Sequence, residues 1–362
     1  MQMTDIFQLS SEELQALLHG EAAVIPELAG KTPQQLRALP AASMILDHCG
    51  TLMDGIEHIP QTGYSAYRLF KRYGERKTFE RPYLLKRANL AAAVTRLLLG
   101  ETETPAGTSL KDLIQDYLWN ICEESNWILP AHEEFNIIDL FVAETGYQLA
   151  LTLHLLGETL DGEVRSRVRA EIERRVFDPY LRFYSLHRWY KGPNNWTGVC
   201  NGAVAATFLL LEPEQQRTAQ ALKLALAGLE TYLDRAFEKD GTSTEGVEYW
   251  QYGLTYFIIL AEMLYSRSQG VLNLLGSPLM QKIAVYPAAL QLTGSNCASF
   301  ADCDEEVFLS HGLLSRLALR TGQRAQLQLM PRQLQPLNRT SLASLLCDLL
   351  WWDGRWLETS AP

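Results

Sequence analysis

The sequence has no C-x-x-C pair, no clean apolar run of bilayer length, little period-two alternation and no excess of basic charge. Each absence removes a class of protein. The six cysteines, Cys49, Cys122, Cys200, Cys297, Cys303 and Cys347, are scattered along 362 residues. A chain of that size needs no disulfide staples, so they read as buried thiols. The longest uncharged stretches, 192–211 and 283–301, are broken by Pro, Asn, Gln and Thr, so no membrane span is expected. Lys plus Arg number 32 against 42 Asp plus Glu, a net charge of −10, which argues against a general nucleic-acid binder. Neither a P-loop nor a G-x-G-x-x-G is present, so no nucleotide cofactor is implied. Cys297, Asp302, Cys303 and Asp304 lack a histidine and the spacing of a metal site, so no metal is expected. Residues 1–11 show no basic start followed by an apolar core, which makes the cytoplasm the default compartment.

What is present is an ordinary globular composition, 47% hydrophobic and 20% charged, arranged in long segments with apolar residues three to four apart. The expected fold is all-α. The segments are of two kinds. In 162–178, Val164, Val168, Ile172 and Val176 form one narrow apolar stripe, while Arg165, Arg167, Arg169, Glu171, Glu173, Arg174 and Arg175 fill the rest, which predicts a helix with one face in water. In 134–156 apolar residues surround the axis, 197–211 carries no charge, and 247–265 carries only Glu248 and Glu262; these predict helices buried on most sides. Between them 214–237, preceded by Pro213, again has a single apolar side. Alternating buried and amphipathic helices predict two concentric rings of antiparallel hairpins, an incomplete α/α toroid. Residues 1–60 read as an N-terminal helical arm with a helix start at Ser10-Ser11-Glu12-Glu13, and residues 61–362 as the toroid domain. In such a toroid the inner helices begin on one rim, where the loops leading into them converge.

Three loops enter inner helices. They are 127–133 with Trp127 and His132, 187–196 with Arg188, Lys191, Asn194, Asn195 and Trp196, and 240–252 with Glu245, Glu248, Tyr249 and Tyr252. Large rings beside amides, a carboxylate and an imidazole suit a carbohydrate cleft, since rings stack on sugar faces and planar polar groups fork onto hydroxyls. The alternative for each loop is that its aromatic plugs its own helix end.

Pro193-Asn194-Asn195-Trp196 with Val199-Cys200-Asn201-Gly202, then Glu245-Gly246-x-x-Tyr249-x-x-Tyr252-Gly253, with Trp127-x-x-Pro130-x-His132 upstream and Phe300-Ala301-Asp302 downstream, resembles the heparinase II/III-like polysaccharide lyases, which include oligoalginate lyases. The resemblance spans about 67–352. It implies an α/α toroid followed by a β-sandwich, with β-elimination on glycans containing uronic acid. By the same resemblance Asn195 is the amide that neutralises the sugar carboxylate and Tyr249 the catalytic tyrosine. Asn194, Trp196, His132, Trp127, Glu245, Tyr252, Arg188 and Lys191 are expected to contact substrate. The basic stretch 68–87, eight Lys or Arg against two Glu, is either a further anion contact or a solvated face. The expected partner is an acidic oligosaccharide or polysaccharide.

Two departures from the family stand out. Trp196 occupies a position where several branches carry His, and the sequence is expected to lack the sandwich, which in the family adds a His or Tyr and a structural metal. A homo-oligomer or a separate sandwich could complete the site. Two other readings stay open: a toroid glycoside hydrolase using carboxylates among Glu133, Glu134, Glu245 and Glu248, and a toroid that binds acidic glycans without cleaving them.

Overall fold

The computed structural model describes residues 1–54, 58–104, 106–133, 137–329, 334 and 339–353, and only the backbone of Lys191. The described chain is mostly helical. Its N-terminal part holds α1 (Met3–Gln8), α2 (Ser11–Leu17), α3 (Pro33–Arg37), α4 (Ala42–Met53), α5 (Tyr64–Tyr67) and α6 (Leu69–Tyr73). Next come α7 (Lys77–Leu98), α8 (Leu110–Glu123), α9 (Leu140–Leu156), α10 (Gly162–Ile172) and α11 (Asp178–Phe183). The remainder comprises α12 (Asn195–Leu211), α13 (Gln215–Arg235), α14 (Val247–Arg267), α15 (Pro278–Leu290), α16 (His311–Thr321) and α17 (Leu342–Trp351). Two short antiparallel strands, β1 (Gln291–Thr293) and β2 (Asn296–Cys297), are the only strands among the described residues.

Helix starts follow side-chain chemistry. Ser10 accepts from the Glu13 amide, and the Glu13 carboxylate returns to the Ser10 amide, the reciprocal box expected at that start. α9 begins at Leu140, later than the apolar pattern predicts, because the buried Asp139 accepts from the Val142 amide at 2.8 Å and caps the helix there. The helix expected over 162–178 is interrupted by a π-helical turn, Glu173–Phe177, between α10 and α11. In that turn Arg175 lies over the Trp127 ring at 4.6 Å and donates to the Glu124 carbonyl. α13 starts after Glu214 rather than at Pro213.

The uncharged α12 is the centre of the packing. It lies against α9 and α14, with α13 also along it, and nearly all its residues are buried. Glycine permits this closeness. A Cβ on Gly202 would sit 2.6 Å from the Tyr256 backbone of α14, and one on Gly198 2.8 Å from the Tyr232 ring of α13. The one buried amide in the middle of α12, Asn201, accepts from the Tyr180 hydroxyl and donates to the Thr197 carbonyl, both at 2.8 Å. α1 and α2 pack on α13, and α4 packs on α7 and α17, so the apolar residues of the N-terminal arm join the same core as the later helices. The six cysteines are buried free thiols. Among the described residues no helix is long and apolar enough to cross a membrane.

Candidate active site

Four helices begin at one place. The first turns of α12 and α14 and the residues just before α17 wall a cavity of about 560 Å³, together with the second turn of α9, His132 and residues 306–308. Residues 306–308 arrive there because β1 and β2 turn the chain back and an antiparallel bridge links Asn296 to Glu306. Helix N-termini carry positive dipole ends; at these starts Asp139 caps α9, Glu245 accepts from the Asn195 amide and Ser341 caps α17.

Of the residues read from the sequence, His132, Asn195, Trp196, Tyr249 and Tyr252 line this cavity together. Asn195 is the first residue of α12. Its backbone amide donates to Glu245 Oε2 at 2.7 Å, while its side-chain Nδ2 is buried without a hydrogen-bond partner. The residue is only 2% exposed, so this donor costs free energy until something accepts from it. His132 is held by Asp139, with Nδ1 and Oδ2 2.8 Å apart. That carboxylate also accepts from the Leu129 and Val142 amides. An ionised Asp139 can only accept, so Nδ1 is the donor of this pair, and in a neutral imidazole Nε2 is then the basic nitrogen. The imidazole stands edge-on to the Trp196 ring, 4.7 Å between centroids, and 5.9 Å from that of Phe141.

Tyr249 is partly buried, and burial together with Asp302 and Glu245 pushes its hydroxyl above the usual tyrosine range. It therefore carries its proton at neutral pH and is disposed to give it rather than take one.

Other expectations are corrected. Trp127 is fully buried; its indole N–H donates to the Ile121 carbonyl at 2.9 Å and its face is covered by Arg175. It plugs the end of α8, and no substrate reaches it. Glu245 does not line the cavity but braces it from behind, and burial with the nearby Asp302 raises its carboxyl. Asn194 is the residue before α12 and makes no side-chain cap; Arg188 is exposed in the turn Arg188–Lys191. Neither is part of the cavity wall. The Lys191 side chain and Glu134 lie outside the described residues. Glu133 is exposed. Among the described residues no group of three His, Cys, Asp or Glu side chains is arranged to hold a metal ion.

Sequence reasoning missed Arg339 and Glu144, and read Arg76 and Arg87 only as members of a basic stretch. Arg339 reaches the cavity and pairs with Glu248, its guanidinium lying 3.5 Å from Asp304. From the basic stretch, Arg76 and Arg87 line the cavity. Arg87 does so while paired with the buried Glu124 at 2.8 Å, with its guanidinium 3.4 Å from the Tyr83 ring centroid. Glu144 of α9 forms another part of the wall and accepts from the Tyr256 hydroxyl at 3.0 Å. Burial pushes its carboxyl up to about 7, against the pull of hydrogen bonds from Tyr256 and Tyr252. A signal for Glu144 existed: it is the only carboxylate in a helix whose other residues, His154 apart, are uncharged.

No protein-family model matches the chain, and no curated protein matches it either.

Proposed function

We propose that this cavity binds an acidic glycan and cleaves it by β-elimination, and that the helices around it are the incomplete α/α toroid the hydrophobic pattern suggests. The observation behind this reading is the buried, unpartnered Asn195 amide, set in one wall with an Asp-backed imidazole and a protonated tyrosine. Such an amide answers a sugar carboxylate. Hydrogen-bonding that group lowers the cost of removing the neighbouring proton, because the charge that develops spreads onto the same oxygens; one well-placed donor is worth ~3 kcal/mol.

In this reading His132 Nε2 takes the proton alpha to the carboxylate. The carbon–oxygen bond on the adjacent carbon breaks as the double bond forms. The Tyr249 hydroxyl gives its proton to the departing glycosidic oxygen, and proton exchange with water restores both residues. Arg76 and Arg339 supply positive potential for the remaining uronates, and the Trp196 ring offers a face for a sugar. The family resemblance supports the same assignment for Asn195 and Tyr249.

The test is ultraviolet absorbance during incubation with a panel of polyuronates. Elimination leaves a double bond conjugated to a carboxylate, so absorbance rises, and Tyr249→Phe abolishes the rise while circular dichroism stays unchanged. Reducing ends released without absorbance would replace this reading with hydrolysis, for which Glu144 and Glu248 in the same wall are the candidate carboxyl pair. Binding without new ends would leave a glycan-binding protein.

A further inference from the structure

Glu144 is a wall carboxyl that the elimination scheme leaves unused. Its carboxyl sits in the cavity wall, ringed by hydroxyls from the facing helix: Tyr256 donates to it, and Tyr252 hydrogen-bonds to it as well. The Tyr147 ring stands edge-on to Tyr256 at 5.8 Å, closing the far side. The charged and titratable groups around Glu144 come from four helices and the rest of the cavity wall. Asp139 caps its own helix, Arg87 lies on α7, Cys200 on α12, and Tyr252 and Tyr256 on α14. His132, Tyr249, Glu248, Glu306, Arg76 and Arg339 line the same cavity. Asp139 adds negative potential and Arg87 offsets it, but Arg87 is already paired with Glu124.

We infer that Glu144 is a proton-bearing contact for the anionic sugar, donating a hydrogen bond to a ligand oxygen as a neutral acid and repelling the ligand once ionised. The inference rests on the acidic-glycan reading above. The physical case is one of placement. An ionised carboxylate in this wall would repel the ligand's negative charge within the same cavity, whereas the neutral acid gives a donor of the kind a carboxylate or hydroxyl accepts. The surrounding tyrosines and thiol cannot share the role near neutrality, since burial lifts Tyr252, Tyr256 and Cys200 far above it. With its own carboxyl raised to about 7, Glu144 changes charge where the others do not. Ligand binding and proton binding at this wall are then linked: each favours the other.

The experiment uses the full chain carrying Tyr249→Phe, so that ligand is not consumed, titrated calorimetrically with trigalacturonate and with trimannuronate. Measurements in two buffers of different ionisation enthalpy, at pH 6 and pH 8, count the protons taken up. At pH 8 binding is expected to draw in about one proton per site, and between pH 7 and 8 affinity is expected to fall by up to about tenfold. At pH 6 no uptake is expected. Adding Glu144→Gln should remove the uptake and the pH dependence while keeping affinity at pH 6. Adding His132→Gln should leave the uptake in place; this second variant decides the matter should Glu144→Gln fail to fold. Binding at pH 8 without proton uptake, uptake surviving in Glu144→Gln, or uptake lost in His132→Gln each overturns the role of Glu144 and leaves the glycan reading standing. Failure of both trisaccharides to bind at pH 6 overturns the glycan reading itself.

Discussion

The carboxylate of Asp139 does two jobs with two oxygens: Oδ1 caps α9 through the Val142 amide, and Oδ2 faces His132 Nδ1 and the Leu129 amide. The two functions can be separated. Asn is as good a helix cap as Asp, so Asp139→Asn can keep the Oδ1 contact while presenting an amide where the imidazole N–H now donates. That forces the other tautomer and puts the basic lone pair on the wrong nitrogen. We expect kcat of any elimination to fall by ~10²- to 10⁴-fold with KM nearly unchanged. The Leu129 amide left without its acceptor should cost about 1–3 kcal/mol of stability. A kcat within threefold of the parent would remove the dyad from the chemistry. Sequence alone placed His132 in the site yet overlooked Asp139, because an acidic residue just ahead of an apolar run reads first as a cap, and nothing local shows that its second oxygen points back seven residues.

At the scale of elements, the hydrophobic pattern located the helices well because burial on all sides leaves an unmistakable record in α9, α12 and α14. It failed where the backbone departs from regular winding. The π-helical turn between α10 and α11 has no hydrophobic signature, and its effect, Arg175 laid over Trp127, turned an expected sugar-stacking ring into a sealed plug. The motif reading likewise gave the glycines of α12 as letters without their purpose, which is close approach. Gly202 faces the Tyr256 backbone so tightly that an added methyl must push α12 and α14 apart. Gly202→Ala is therefore expected to destabilise the chain by about 1–3 kcal/mol, seen as a lowered urea midpoint. Gly107→Ala, where the added methyl meets no atom within 4 Å but the backbone has a positive φ, should cost about 1 kcal/mol through strain alone. Equal midpoints for Gly202→Ala and the parent would refute this account of the contact.

For the whole molecule, stability should depend on pH through groups that do not line the cavity. His187 is buried, stacked on Trp189 with 4.8 Å between ring centroids, and its Nε2 has no partner. Burial holds its pKa at about 4. Because this is below the unfolded value of about 6.5, its contribution is fully present above pH 6.5. It is lost as pH falls toward 4, by on the order of 3 kcal/mol. Asp348, which accepts from the Ser310 hydroxyl and the Gly312 amide at the start of α16, acts in the opposite sense. Burial raises it to about 6, so the folded state gains as pH drops below that value. In His187→Phe the first effect is gone, and melting temperatures measured from pH 7.5 to 5 should diverge from the parent in the variant's favour as acid is added. Parallel curves would refute the assignment. Glu245 has a reach beyond its own loop: its side chain grips the Asn195 amide at 2.7 Å while its carbonyl takes the Tyr286 hydroxyl at 2.9 Å. α12, α15 and the loop ahead of α14 are thereby spliced into one stiff jaw. Under the proposed function, that side of the mouth meets its guest with a shape already cast, and any adjustment comes from the opposite lip.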